Sequence, residues 1–302
     1  MSYEAFYGLT ERPFAITPNP AYFYESTQHK AALAKLKDAI DTSKGLSVVI
    51  GDIGLGKTFL SRKLAEYLQE NEEKYEASLF IVIHHEVTVA WLLKTLAAHL
   101  GIEELPEEKT AVISTLCRKL IEVDQSGKKS IILMDEAHML QTPDIYEEMR
   151  GLLNVEIDNH KVFNIILFAP PDLEKYMAQD PPLVSRIGLK VTLQPLNEDE
   201  TIEYIAHRIK TGGTTQRVFS VEASQMVYRF SQGVPRLINT ICENALLEGF
   251  LDKEELISPQ TVERAGTDLG LHATALPLSP EALEKLANQD KERKKKGKVS
   301  YI

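Results

Sequence analysis

The sequence predicts an α/β fold: a doubly wound, parallel, five-stranded sheet followed by a small all-helical domain. Three observations predict it. Short apolar, β-branched runs alternate with helical patterns as far as Pro195; only helical periodicity follows; and a glycine-rich turn joins the first apolar run to a helix. Strands that alternate with helices bury best as a parallel sheet covered on both faces. The chain has 302 residues, 43% hydrophobic and 26% charged, which suits about two domains with a real core.

The elements follow in order. Residues 1–45 form an N-terminal segment rich in turn signals and aromatics, ending in the helical pattern His29 to Ile40. Leu46 to Gly51 reads as a buried parallel strand, followed by a helix from Lys57. Ser78 to Ile83 precedes a helix containing Trp91; Ser130 to Asp135 precedes one after Pro143; Asn164 to Ala169 precedes one from Asp172; Lys190 to Pro195 is the fifth strand. The α/β core therefore spans 46–195. From 196 to 270 three or four helical patterns fit, with starts near Glu198, Ser220, Pro235 and Ser258. Residues 271–302 read as a linker and a basic tail, KERKKKGK. The tail suits a solvated segment, with contact to nucleic acid or an anionic surface as the alternative.

Charge and composition exclude several classes. Lys+Arg 34 against Asp+Glu 44 gives −10, which disfavours nonspecific binding to a nucleic-acid backbone. No apolar run approaches the ~20 residues of a membrane span, and the N-terminus, with Glu4 and Glu11, lacks a signal-peptide pattern. Two isolated cysteines, Cys117 and Cys242, make no disulfide framework or zinc cluster, and a reducing cytosol is the simplest compartment. His84 and His85 lack the further ligands that a metal site needs.

Two motifs carry chemistry. Gly51, Asp52, Ile53, Gly54, Leu55, Gly56, Lys57 and Thr58 match G-x-x-x-x-G-K-[ST] between a strand and a helix. Glycines let consecutive N–H groups converge on an anion, and the helix N-terminus adds partial positive charge. In this pattern the loop, with Phe59 after it, binds ATP; Lys57 reaches the β- and γ-phosphates and Thr58 ligands Mg²⁺. The second motif is the apolar strand ending in Asp135 and Glu136. Strand C-termini of a parallel sheet point at the ligand crevice. There Asp135 holds Mg²⁺ and Glu136 polarises the attacking water. Ala137 and His138 extend the run to DEAH, and His138 reads as structural.

Together the P-loop, the acidic strand end, the strand count and the helical lid resemble the AAA+ ATPases. The closer resemblance, over about residues 3 to 270, is to the general secretion pathway protein A (ExeA-like) group, related to TniB/TnsC-type ATPases. It is carried by Tyr7-Gly8-Leu9, Arg12-Pro13-Phe14, Thr17-Pro18-Asn19-Pro20, Gly51 to Thr58, Asp135 to His138, Glu148 to Asn154, Gly233-Val234-Pro235-Arg236-Leu237-Ile238-Asn239 and Ile241 to Leu247. The resemblance implies that Arg236 is a sensor 2 arginine reaching the γ-phosphate from the lid. It implies that Arg186 is an arginine finger donated to a neighbour's nucleotide in a ring or filament. Phe14, Ile16 and His29 either line the adenine pocket or pack in the core. The implied role is a cytoplasmic ATPase, or one peripheral at the inner membrane face. It would remodel or regulate a protein partner of an envelope secretion or polysaccharide-export system; a DNA-dependent transposition regulator and a slow nucleotide switch are the alternatives. Two departures stand out. Pro170 occupies the polar sensor 1 position after the fourth strand, so hydrolysis is expected to be slow or partner-dependent. Secretion-type members often continue into a membrane span and a cell-wall-binding domain, which this sequence does not include.

Overall fold

A computed structural model describes residues 2–15, 19–83 and 87–274. These divide into two compact units: residues 15–196 with Val234–Arg236 form an α/β unit, and the residues up to Phe14, Asn197–Gly233 and the chain from Leu237 form a helical unit. The segment 1–45 is therefore divided at Phe14, and its later part belongs with the sheet. The linker and basic tail expected at 271–302 lie outside the described residues beyond Thr274, as do Ile16, His84 and His85.

The short helix α1 (Tyr3–Phe6) precedes α2 (Thr27–Asp41). Then come β1 (Leu46–Ile50), α3 (Lys57–Glu70), β2 (Tyr75–Ile81), α4 (Val89–His99), α5 (Lys109–Gln125) and β3 (Lys129–Asp135). After α6 (Pro143–Leu152), a hairpin pairs β4 (Glu156–Ile157) with β5 (His160–Lys161). The α/β unit closes with β6 (Phe163–Ala169), α7 (Asp172–Met177), α8 (Pro181–Val184) and β7 (Ile187–Thr192). The helical unit adds α9 (Glu198–Thr211), α10 (Val221–Ser231), α11 (Pro235–Leu251) and α12 (Pro259–Asp268).

The five long strands are all parallel, in the order β2-β3-β6-β1-β7. The period-2 alternation of a strand distributes their side chains to two cores. Leu46, Val48, Ile50, Ile132, Met134, Ile165 and Leu167 pack into the layer built from α4, α5 and α6. Val49, Ile131, Leu133, Ile166 and Phe168 pack on the other face, against Ala32, Leu36 and Ile40 of α2 and Leu60, Leu64 and Leu68 of α3. The i, i+4 spacing of those leucines is the apolar stripe that makes α3 a covering helix. The central strands are buried on both faces and read as uninterrupted apolar runs. The edge strands are less apolar, and both are displaced from expectation: β2 starts three residues before Ser78, and β7 three before Lys190.

In the helical unit each helix start carries a side-chain cap where the sequence offers one. Asn197 and Glu200 form a capping box on α9, and Ser220 and Ser258 cap α10 and α12. The N-terminal segment packs here. Tyr7 donates its hydroxyl to the Glu254 carbonyl (3.0 Å), and Tyr3 donates to Glu243 (2.7 Å). A Cβ on Gly249 of α11 would lie 2.6 Å from the Tyr7 hydroxyl, so only glycine admits that ring. Phe14 meets Phe219 edge-on (6.1 Å) and lies under the Arg208 guanidinium.

One buried titratable group ties α4 to the sheet. His99 is bracketed by hydroxyls, Ser78 on β2 (2.7 Å from Nδ1) and Ser130 on β3 (3.0 Å from Nε2). Burial pushes its pKa down to about 4. The folded state therefore holds His99 neutral at pH values where the unfolded chain, titrating near its ordinary value of 6.5, binds the proton. Stability falls as pH drops from 6.5 towards 4. The expected loss between pH 7 and 5 is about 2 kcal/mol. Urea unfolding of wild type and His99→Gln at both pH values checks this: the glutamine variant, which cannot titrate, should lose about 2 kcal/mol less over that interval.

Candidate functional site

The site is built where β1, β6 and β3 end. Ile50 is opposite Ala169, and Met134 is opposite Leu167, so the residues after β1, β6 and β3 emerge side by side. Gly51 starts the loop by donating its N–H to the Ala169 carbonyl (3.2 Å), and Leu193 donates to Ile50 (2.8 Å). Leu55 anchors the loop in the α2–α3 core. Gly54 and Gly56 both have left-handed backbone, φ +90° and +89°. Gly56 is the N-cap of α3 and supplies no side-chain cap, so the first N–H groups of α3 are left for an anion.

Close neighbours hold this loop. A Cβ on Gly54 would lie 2.8 Å from the Arg236 Cβ and 3.1 Å from the Val234 Cγ1, so the start of α11 rests on the loop at a point where no side chain fits. On Gly56 a Cβ would lie 3.2 Å from His29 Nε2. That nitrogen is 3.2 Å from the Leu55 carbonyl, and His29 Nδ1 is 2.7 Å from the Ser26 hydroxyl. The two contacts select the tautomer in which Nε2 donates to Leu55 and Ser26 donates to Nδ1. Phe23 lies edge-on to His29 (5.5 Å) and stacks nearly parallel on Phe59 (5.8 Å). Thus His29 packs against the phosphate-loop motif itself, while Phe14 packs in the helical unit.

Lys57 is buried, 7% exposed, and its ammonium folds back to donate to the Gly51 (2.7 Å) and Asp52 (2.9 Å) carbonyls. Burial lowers its pKa; Glu136, Asp135 and Asp52 oppose that shift, and Arg236 adds to it. These charges therefore converge on one place. Asp135 is 1% exposed and accepts from the Glu136 backbone N–H (3.0 Å) and, at 3.5 Å, from the Ser61 hydroxyl. The single Ser61 proton is shared between the two acceptors, the nearer being the Thr58 carbonyl (3.0 Å). Sequence reasoning missed Ser61; the signal was its place one helical turn beyond Lys57, on the buried stripe of α3. Glu136 is held at φ +55°, a conformation that a β-carbon disfavours and that clusters at functional sites.

The remaining residues separate. Arg186, just beyond α8, donates to Asn154 Oδ1 (3.0 Å) and to the Pro182 carbonyl (2.7 Å) on its own surface. Arg236 is the second residue of α11 and counts with the α/β unit. Pro170 follows β6 directly. Asn164, at the opposite end of that strand, accepts from the Gly45 N–H (3.2 Å) and so closes the turn before β1. Among the described residues no group of three His, Cys, Asp or Glu side chains forms a metal cluster, and no helix is long and apolar enough to cross a membrane.

Comparison with known proteins agrees with this architecture. Residues 40–177 match the AAA domain family. Over 257 residues the chain is 34% identical to general secretion pathway protein A of Aeromonas hydrophila. That match takes in 82% of this chain and 45% of the relative, so the chain spans less than half of that protein's length. Among solved structures, the ORC2 protein of Aeropyrum pernix in its ADPNP-ADP complexes superposes with a TM-score of 0.61 at 16% identity, covering 85% of this chain and 71% of that one. The Thermotoga maritima RuvB Holliday junction branch migration motor gives 0.55 at 18%, covering 82% and 73%. These likenesses show the AAA+ fold.

The loop geometry yields a direct expectation. Gly54→Ala forces a Cβ into Arg236 at a φ that alanine avoids, and should weaken nucleotide binding by about tenfold or more, since each strained residue costs of order 1–3 kcal/mol. Titration with a fluorescent ATP analogue measures it, with Gly127→Ala as the control: that glycine shares a positive φ but has open space.

Proposed function

The chain is an AAA+ protein related to general secretion pathway protein A, and on that premise we propose that it binds ATP with Mg²⁺ and hydrolyses it. The observation that supports this most is the convergence of the buried Lys57 ammonium, Asp135 and Glu136 at the ends of β1 and β3. The residues suit the ligands. The left-handed loop leaves N–H donors for phosphate oxygens, and the Gly54 cradle would be filled by any side chain. The Thr58 hydroxyl and the Asp135 carboxylate are hard oxygen donors of the kind Mg²⁺ takes. Bound there, Mg²⁺ would neutralise charge on the β- and γ-phosphates.

The chain's own residues do the rest. Gly51 to Thr58 and the start of α3 bind the phosphates, and Lys57 exchanges its two carbonyl partners for phosphate oxygens. Glu136 orients the attacking water and accepts its proton. Arg236 reaches the γ-phosphate and carries nucleotide state along α11. Arg186, already held on the surface by Asn154, is donated to the nucleotide of a neighbouring copy in a ring or filament. Hydrolysis then depends on assembly. The kinship to a secretion pathway protein supports work on a protein partner in an envelope secretion or export system, from the cytoplasm or the inner membrane face. A slowly hydrolysing switch is the second reading. It is favoured by Pro170, which offers no donor at the end of β6.

Lys57→Ala should abolish tight ATP binding, whereas Glu136→Gln should bind ATP normally and lose about 10²-fold or more in turnover, the usual contribution of a general base. Isothermal titration and phosphate release separate the two, and wild-type turnover by Glu136→Gln would remove Glu136 from its role. The stalled variant, captured from its native cell with ATP and Mg²⁺, should retain envelope or export components; co-purifying nuclease-sensitive DNA would favour the transposition-type alternative instead.

Arg186→Ala should retain ATP affinity and lose about 10³-fold in hydrolysis, as loss of an arginine finger does. Mixing it with Lys57→Ala should restore activity, because mixed assemblies place an intact Arg186 beside an intact loop. Absence of rescue in assemblies shown to be mixed by light scattering and cross-linking counts against the finger.

A further inference from the structure

We propose that His138 is a positioning residue for Glu136, donating to its carboxylate from the turn that follows β3. The inference rests on the ATPase reading above and names a further residue of that site. His138 lies on the single 3-10 turn Ala137–Met139 that follows β3 and packs against β6 and α7. That piece of chain therefore runs beside the end of β6, and His138 is near enough to Asp172 at the start of α7 to act on its charge. Pro170 and Pro171, which follow β6, have neither a side-chain hydrogen-bonding group nor a backbone N–H.

His138 Nδ1 lies 3.4 Å from Glu136 Oε2. Yet Nδ1 is a buried nitrogen that makes no hydrogen bond among the described residues. A buried ring nitrogen is normally satisfied, and the carboxylate of Glu136 is the acceptor nearest at hand for this one. The backbone supports the pairing. Glu136 is held at φ +55° while Asp135 accepts its N–H, so the carboxylate is turned away from the line of β3 and towards the ring two residues on. The Nδ1–H tautomer of His138 donates to one oxygen of Glu136 and leaves the other to accept from water. The contact fixes the carboxylate's rotation; it transfers no proton and touches no nucleotide.

The experiment compares wild type, His138→Ala, His138→Gln, Glu136→Gln and the double variant by ATP titration, steady-state turnover and single-turnover hydrolysis. His138→Ala should lower kcat about tenfold, the effect of one hydrogen bond made to a charged group, with ATP affinity and KM within about twofold. His138→Gln, which keeps a donor, should recover most of that loss. In the Glu136→Gln background the alanine change should have no further effect, since coupled residues are non-additive. Wild-type kcat in His138→Ala overturns the proposal. So does an independent tenfold loss on top of Glu136→Gln, or a loss shared equally by ATP affinity and thermal stability, because either marks a structural role. The two readings fail distinguishably: full turnover by Glu136→Gln removes the base and this inference together, whereas a stalled Glu136→Gln beside a fully active His138→Ala removes this inference alone.

Discussion

A buried ammonium sets the terms for the site. Lys57 is almost wholly removed from water, and a charge so placed is tolerated only with several opposing partners. Its immediate partners are two carbonyls of its own loop, Gly51 and Asp52, which constrain that loop to curl back over the start of α3. Its longer-range partners are the carboxylates of Asp135, Glu136 and Asp52. Removing the lysine leaves those acids facing one another, and removing the acids leaves a buried cation. The charge pattern is thus a mutual requirement, and on the proposed reading a bound polyanion would replace the carbonyl partners with stronger ones.

That requirement passes to the sheet. The acids reach the lysine because β3 and β1 run parallel and end at nearly the same level, with β6 between them as the spacer. In an open parallel sheet the strand ends on one side form the crevice, and the loops there need no covering layer of their own. The two apolar cores fix the levels. A slip of one residue in β6 would send Ile166 and Phe168 into the wrong core and raise Pro170 relative to Glu136. Asn164 works at the opposite end of β6, where its side chain accepts the Gly45 N–H and locks β1 into register. A strand whose two ends look chemically unrelated therefore serves one end through the other.

The central strands β1, β3 and β6 were legible because burial on both faces demands continuous apolar runs. The edge strands were legible only in part: Tyr75, Glu76 and Ala77 of β2 and Ile187 to Leu189 of β7 carry no such run, since one flank of each is open. The hairpin at Glu156–Lys161 passed unread, although Asp158 and Asn159, at φ +47° and +65°, are the residue types that such a turn selects. The helices after Asn197 were legible from periodicity, and the structure adds their caps. Assignment of Phe14 and His29 needed the fold. Both look alike in sequence, yet one stacks beneath Arg208 in the helical unit and the other touches the glycine loop. Ser61 illustrates the same limit: a serine on a helix gains meaning only when Asp135 is found beside it.

Two histidines of the α/β unit show how satisfaction distinguishes structure from chemistry. His99 has a hydroxyl within hydrogen-bond reach of each ring nitrogen, is drawn to the neutral form by burial, and bridges β2 to β3. Every polar atom it brings into the core is accounted for, so it acts as a polar pin whose cost is paid only in acid. His138 also buries a ring nitrogen, but leaves it unbonded 3.4 Å from the carboxylate of Glu136. Arg150 Nε and Asn164 Nδ2 are likewise buried without a hydrogen bond, so an open nitrogen alone marks no function; what singles out His138 is that the carboxylate beside it is Glu136. The two acids are held differently: Asp135 accepts the backbone N–H of its neighbour, whereas the Glu136 carboxylate lies 3.4 Å from the His138 ring. On the reading proposed above, the left-handed backbone at Glu136 and the ring of His138 act together to set the direction of that carboxylate.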